Sequence, residues 1–198
     1  MLATNICPVS TRTARTRTHL QEVALDLFAR QGFEETTVAQ VAAAAGVSQM
    51  TFFRHFPTKE SVVADDPYDP LIARAVTTGP ADLPPVERVR QAVLAAWQQV
   101  PEPAEDAVRR RLVLATVTPS LRARVWLNNE QTERLVAAAL VDTGVPRLEA
   151  RVAAGAVFGA LTAALLDWAE PTTVPATHEP LGARIAAALA ILAPVGGR

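Results

Sequence analysis

LQEVALDLFARQGFEETTVAQVAAAAGVSQMTFFRHFPTKESVV, residues 20–63, is the stretch on which the fold turns. Leu20, Val23, Ala24, Leu27 and Phe28 recur at three- and four-residue spacing, which predicts one apolar stripe on a helix over about 18–31. Gly32 ends that helix as a C-cap residue. Thr37 then stands as an N-cap before Val38, Val41 and Ala42, giving a short second helix to about Ala45. Gly46 breaks the chain, and Ser48 caps a third helix running to His55. Pro57 prevents its continuation, and Thr58 is expected to cap a new helix with Glu60 in the first turn.

Two short helices joined by a glycine-containing turn and braced by a preceding helix make a helix-turn-helix. The small side chains of Ala42 to Ala45 allow close approach, and Gly46 can take the positive φ of a sharp turn. Val47, Phe52 and Phe56 are spaced to face inward toward Val41, Leu27 and Phe28. Ser48, Gln49, Met50, Thr51, Phe53 and Arg54 are left around the outer face. Such residues can hydrogen-bond base edges, touch a thymine methyl and neutralise phosphate. Ahead of the helix, Arg12, Arg15 and Arg17 occur with no acid before Glu22, so residues 1–17 are expected to form a flexible basic arm. An arm of that kind can neutralise phosphates or enter the minor groove.

The same stretch resembles the DNA-binding domain of TetR-type transcriptional regulators. The matching signatures are Gly32-Phe33, Thr37-Val38 with Val41-Ala42, Ala45-Gly46-Val47-Ser48, and Thr51-Phe52-Phe53-Arg54-His55-Phe56 with Lys59-Glu60. The resemblance implies a phosphate contact for Thr37, base reading for Gln49, Met50 and Thr51, and backbone contacts for His55 and Lys59. Phe53 falls where the family often has a tyrosine, and here the hydroxyl is missing. Two readings stay open for it: packing on the following helix, or van der Waals contact with sugar or a thymine methyl. Thr37 and Ser48 would also serve as plain caps in any helical protein.

Beyond residue 64 the breakers Asp65-Asp66-Pro67-Tyr68-Asp69-Pro70 and Gly79-Pro80 to Pro84-Pro85 separate short helical pieces. Longer helices are predicted at about 85–100, 104–117, 119–142, 147–169 and 179–193. The expectation is an all-α protein: a helix-turn-helix domain over 18–64 and a larger helical effector-binding and dimerisation domain over 65–198. Gly155 and Gly159 stand four apart with Ala163 following, and Ile185, Leu189 and Leu192 form a stripe on the last helix. Two such helices from each of two subunits would make a four-helix bundle, and a two-fold dimer suits a palindromic operator. The resemblance also places the dimer interface in the last two long helices. Leu94, Trp97, Val113, Val117, Val125, Trp126, Asn129 and Phe158 are the candidate walls of an effector pocket between facing helices. The Thr-Phe-Phe-Arg stretch, Arg111-Leu112-Val113-Leu114 and Thr118-Pro119-Ser120-Leu121-Arg122-Ala123-Arg124 are similar to a TetR subgroup that includes the mycofactocin-associated regulators. That likeness implies an acyl-CoA-like effector.

Composition bounds the alternatives. With 19 Lys+Arg against 20 Asp+Glu the net charge is −1, so any attraction to a polyanion must come from a local patch. The single cysteine, Cys7, excludes an internal disulfide framework and a cysteine zinc cluster and fits a reducing cytosol. No export signal is read at the start, and the longest apolar run, between Arg151 and Asp167, is shorter than the ~20 residues of a bilayer span. A cytoplasmic protein without a membrane partner is therefore expected. Only His19, His55 and His178 are present, and GxSxG, Walker A, GxGxxG and HExxH are absent, so no enzyme, metal or cofactor is expected. The sequence thus predicts a dimeric regulator, a repressor released from double-stranded DNA by a small hydrophobic or acyl-CoA-like effector. The alternative is a helical protein-interaction adaptor or a ligand-binding protein without DNA binding, which leaves the pattern at 37–59 unexplained.

Overall fold

The computed structural model describes residues 11–65, 69–99, 105–169 and 179–193, so Cys7 and His178 lie outside the described residues. Among the described residues there are helices and turns and no strand. The chain divides into two compact units, Met1–Val63 and Ala64–Arg198.

In the first unit, α1 (Thr11–Gln31), α2 (Val38–Ala44) and α3 (Gln49–His55) pack in sequence, α1 on α2 and α2 on α3. The buried face of α1 is Leu20, Ala24, Leu25 and Phe28, while Val23 and Leu27 are only half-buried. Leu25 therefore joins the core beside the expected stripe, because α1 is covered on a wider arc than a single seam. Phe28 meets Phe33 edge to face at 4.9 Å, and Phe52 and Phe56 are fully buried. Gly46 takes φ +68° at the end of α2. Its N–H donates to the Ala43 carbonyl and that of Val47 to the Ala42 carbonyl, the paired bonds of a Schellman ending. That ending turns the chain sharply enough to bring α3 back onto α2.

Two boundaries differ from expectation. α1 begins at Thr11, so residues 11–17 are helical and not part of a flexible arm. Thr, Ala and Arg in that run carry no helix breaker, and the first turn lacks only an acid to complement the dipole. The fourth helix, α4 (Ser61–Ala64), starts three residues after Thr58, leaving Glu60 in the preceding turn. Thr58 and Ser61 cap each other: the Ser61 N–H donates to Thr58 Oγ1 at 3.2 Å, and the Thr58 N–H to Ser61 Oγ at 3.3 Å.

The second unit holds α5 (Asp69–Thr78), α6 (Pro85–Gln99), α7 (Glu105–Val117), α8 (Pro119–Asp142), α9 (Arg147–Ala169) and α10 (Leu181–Ile191). The two longest helices, α8 and α9, are joined through Gly144, at φ +94°. Their core is built from small residues, with Ala137, Ala139, Ala150, Ala153 and Ala154 packed around Leu140, Val157 and Phe158. Short side chains let helix axes come near the lower end of the 8–10 Å range. Arg88 is buried and donates to the Val76 carbonyl at 3.1 Å and to Thr143 Oγ1 at 2.9 Å, tying the C-terminal ends of α5 and α8 together. The Leu181 N–H donates to Glu105 at 2.7 Å, which satisfies one of the orphan amides at the start of α10. Among the described helices α9 alone has the length and apolarity of a bilayer-crossing segment, with mean hydropathy 1.6 over its most apolar window. Its Ala153, Ala154, Val157, Phe158 and Trp168 are nevertheless spent on the unit's own core.

Candidate nucleic-acid interface

α3 is held by its inward side and displays its outward one. Phe52 is fully buried against Phe56, with ring centroids 5.7 Å apart, and this pins the helix by its middle. At its start Ser48 Oγ accepts the Thr51 N–H at 3.1 Å and lies 3.0 Å from Thr51 Oγ1. Gln49, Met50, Phe53 and Arg54 are exposed and form one ridge, since positions i, i+1, i+4 and i+5 lie side by side on a helix. Met50 is 79% exposed and Phe53 46%. Thr51, expected among the base readers, is half-buried and turned toward Ser48, and Phe53 is the more exposed of the two.

Thr37 caps α2 through a reciprocal pair. Its hydroxyl accepts the Gln40 N–H at 3.2 Å, and Gln40 Oε1 accepts the Thr37 N–H at 2.8 Å. Gln40 was legible as the partner, three residues after a threonine cap. The Thr37 side chain remains exposed at the amino end of α2, where the helix dipole favours an anion.

Three residues expected at the DNA backbone, His55, Arg17 and Lys59, are engaged within the protein itself. His55 is buried, with 8% of its surface accessible, because Phe52, His55 and Phe56 share the inward side. Burial, then the Arg54 and Arg17 charges, hold its imidazole below the ordinary 6.5, so it stays neutral near pH 7. Arg17 is half-buried: it donates to the His55 carbonyl and stacks 4.1 Å over the Phe56 ring. Lys59 is a clamp. Its ammonium donates to the carbonyls of Phe33 at 2.8 Å, Thr36 at 3.0 Å and Glu34 at 3.4 Å, and lies 4.2 Å over the Phe33 ring. All three donors of a lysine are thereby spent on the loop between α1 and α2. Arg15 is exposed on α1, and Arg12 belongs to its first turn.

In the second unit the expected effector walls do not converge. Val117 and Trp126 are 70% and 67% exposed and Val113 is on the surface, whereas Phe158, Leu94 and Trp97 belong to or pack against the core. Trp97 lies so close over Gly182 that an added Cβ would sit 2.7 Å from its Nε1. Val125 is half-buried, and Asn129 donates to Glu133 at 3.2 Å. A cleft of about 610 Å³ lies between α8 and α9. Glu130, Glu133 and Asp142 line it together with Arg134, Arg147 and Arg151 around Ala137, Ala138 and Val141. Burial and the neighbouring Glu130 charge raise the Glu133 carboxyl above its usual range.

The expected dimer residues divide in two. Gly159 and Ala163 are exposed and Gly155 half-exposed on α9, beside exposed Leu148, Val152 and Leu166. Ile185 and Leu189 are buried in the protomer's own core and Leu192 packs against it. The last helix needs that stripe to cover its neighbours. Its outward side carries Ala183, Ala186, Ala187, Ala190 and Ile191.

Residues 20–65 match the family model of bacterial regulatory proteins, tetR family, and residues 83–195 match that of the MftR C-terminal domain. The HTH-type transcriptional regulator TcmR of Streptomyces glaucescens is 35% identical over 135 residues, 63% of this chain and 60% of TcmR. The chain thus spans about 60% of that relative's length. The HTH-type transcriptional repressor KstR2 of Rhodococcus jostii (strain RHA1) is 45% identical over 47 residues, 24% of this chain and 23% of KstR2. Among solved structures, the fatty acid degradation regulator FadR from Bacillus halodurans superposes with a TM-score of 0.51 at 19% identity. That likeness covers 92% of this chain and 97% of FadR, and it is one of fold.

Proposed function

Since the chain belongs to the TetR family of bacterial regulatory proteins, with an MftR-type C-terminal domain, we propose that it is a cytoplasmic transcriptional repressor that binds double-stranded DNA. The observation that carries this reading is the exposed ridge of Gln49, Met50, Phe53 and Arg54, standing clear of a core that secures α3 from behind. A recognition helix must present side chains to base edges and be rigid enough to discriminate among them. Gln49 offers a bidentate amide and Arg54 a guanidinium. Thr37 and Arg15 supply positioning contacts to phosphate on either side, Thr37 by exchanging its bond to Gln40 for one to DNA.

The protein works as a homodimer through the exposed small-residue faces of α9 and α10, so that two ridges meet major grooves about 34–36 Å apart on a palindromic operator. Its effector binds in the second unit. The cleft between α8 and α9 is the candidate site: its floor is alanine and valine, and Arg134, Arg147 and Arg151 can meet an anionic group, with Glu130, Glu133 and Asp142 on the same wall selecting where that group sits. Binding there changes the set of α4, which carries the chain from one unit to the next. Acyl-CoAs are then expected to raise the melting temperature, and neutral hydrophobes of equal chain length to do less.

The test is a gel shift with the duplex that flanks the protein's own coding region, run at two salt concentrations beside an unrelated duplex. Specific binding should exceed non-specific binding by about 10³ or more and weaken steeply with salt. Equal affinity for both duplexes would overturn the reading.

A further inference from the structure

Met50 and Phe53 are the large apolar side chains exposed on the described part of the first unit, and both stand on α3. The other large apolar residues of that unit are buried or half-buried: Leu20, Leu25, Phe28, Phe33, Phe52 and Phe56 make its core. A folding domain that buries the rest of its large apolar residues wholly or in part, Val41, Val62 and Val63 included, and leaves two exposed, three positions apart on one helix face, has an apolar contact reserved outside itself. The flanking residues tell what kind. Gln49 and Arg54 on the same ridge are hydrogen-bonding and cationic groups, which a purely apolar protein groove would leave unpaired. The floor of a major groove offers acceptors and donors for both, and one apolar feature, the 5-methyl group of thymine.

We propose that Met50 and Phe53 are specificity-determining residues that read 5-methyl groups, so that the recognised half-site carries thymines on adjacent or next-nearest base pairs. The spacing follows from geometry. Side chains at i and i+3 have Cβ atoms about 5–6 Å apart, and successive bases on one strand are about 3.4 Å apart. The Phe53 ring stands perpendicular to the buried Phe52 ring, at 5.6 Å between centroids, so its position is set by the core. Met50 is the adaptable partner, with an unbranched side chain that follows the groove. The inference rests on the DNA-binding reading above and adds the chemical feature that is recognised.

The experiment starts from a pool of duplexes with random centres, enriched by binding to the full chain. The enriched pool is re-amplified with dUTP in place of dTTP, which removes every 5-methyl group and leaves each base pair's hydrogen bonds intact. Removing one buried methyl should weaken binding about fourfold, from roughly 0.8 kcal/mol per methyl-sized group. The wild type should therefore prefer the thymine pool by about fourfold or more. Met50→Gln, on a side chain that is 79% exposed, should keep the fold and lose much of that preference, its affinity falling more for the thymine pool than for the uracil pool. Phe53→Leu should lose part of it.

An enriched pool that binds equally well in both forms would overturn the methyl reading and leave the DNA-binding function standing. A preference that survives both substitutions would overturn the assignment to these two residues. Failure to enrich any sequence would overturn the DNA-binding reading itself.

Discussion

The two units solve the packing problem with opposite materials. The first closes a small core with aromatic rings and then fastens its loops with individual polar side chains: Lys59 on three carbonyls, Arg17 on the end of α3, and Gln21 on the Val62 carbonyl at 2.7 Å. The second unit relies on long alanine-rich helices whose faces fit over many turns, with scattered polar ties such as Arg88 and Glu105. In the first unit a position has one job that a neighbour cannot assume. In the second, the fit is spread over many interchangeable small side chains. A DNA reader therefore shows in a sequence where a ligand site does not.

Single substitutions put this contrast at risk. Phe52→Ala should have the largest effect, destabilising the first unit by about 3–5 kcal/mol in denaturant unfolding, because the ring is fully buried at the middle of α3. A loss below about 1 kcal/mol would mean that the aromatic core is as diffuse as the alanine faces. Lys59→Met should cost about 1–3 kcal/mol by leaving loop carbonyls unpaired, while the salt slope of DNA binding stays as in the wild type. A slope smaller by about one would return Lys59 to the phosphate contacts.

Gly159→Ala tests the second unit with the opposite sign. A Cβ there meets nothing within 4 Å and the residue lies inside α9. The lone subunit should therefore gain about 0.5–1 kcal/mol, and sedimentation should show weaker self-association. A variant that is more stable and equally dimeric would place the dimer contact elsewhere.

The smallest effect is one of pH. Because the folded His55 titrates below its unfolded value of 6.5, its contribution is fully present above that pH. It is lost as the pH falls through the lower folded value. Thermal melts followed downward from about pH 7.5 should show a larger drop for wild type than for His55→Gln. Glu133, raised in the folded state, works in the other direction and is common to both proteins.

Much of the fold was legible because its signals are local. Gly32 and Gly46 mark chain reversals at φ +89° and +68°, and Thr37 and Ser48 mark helix starts, each within a few residues of its consequence. The exposed ridge followed from the same spacing. What spacing alone does not supply is the identity of a partner distant in sequence. Lys59 reads as a free cation until the carbonyls 23 to 26 residues away close on it, and His55 reads as exposed until Phe52 and Phe56 settle which side of α3 turns inward. The scatter of the expected effector walls between surface and core has a related cause. On helices apolar nearly all round, such as α9, hydrophobicity does not say which face meets which neighbour. Likewise Ile185 and Leu189 read equally well as an outer or an inner stripe.

Lys59 is also the single lysine of the chain. An amine-directed reagent, whether a crosslinker, a biotin ester or an acetyl donor, meets no other lysine side chain, and the one it meets is wrapped in backbone oxygens. Acylating this protein on lysine would therefore mean unfastening the loop that sets the start of α2. The modification should report on opening of the reader, and bound DNA should slow it.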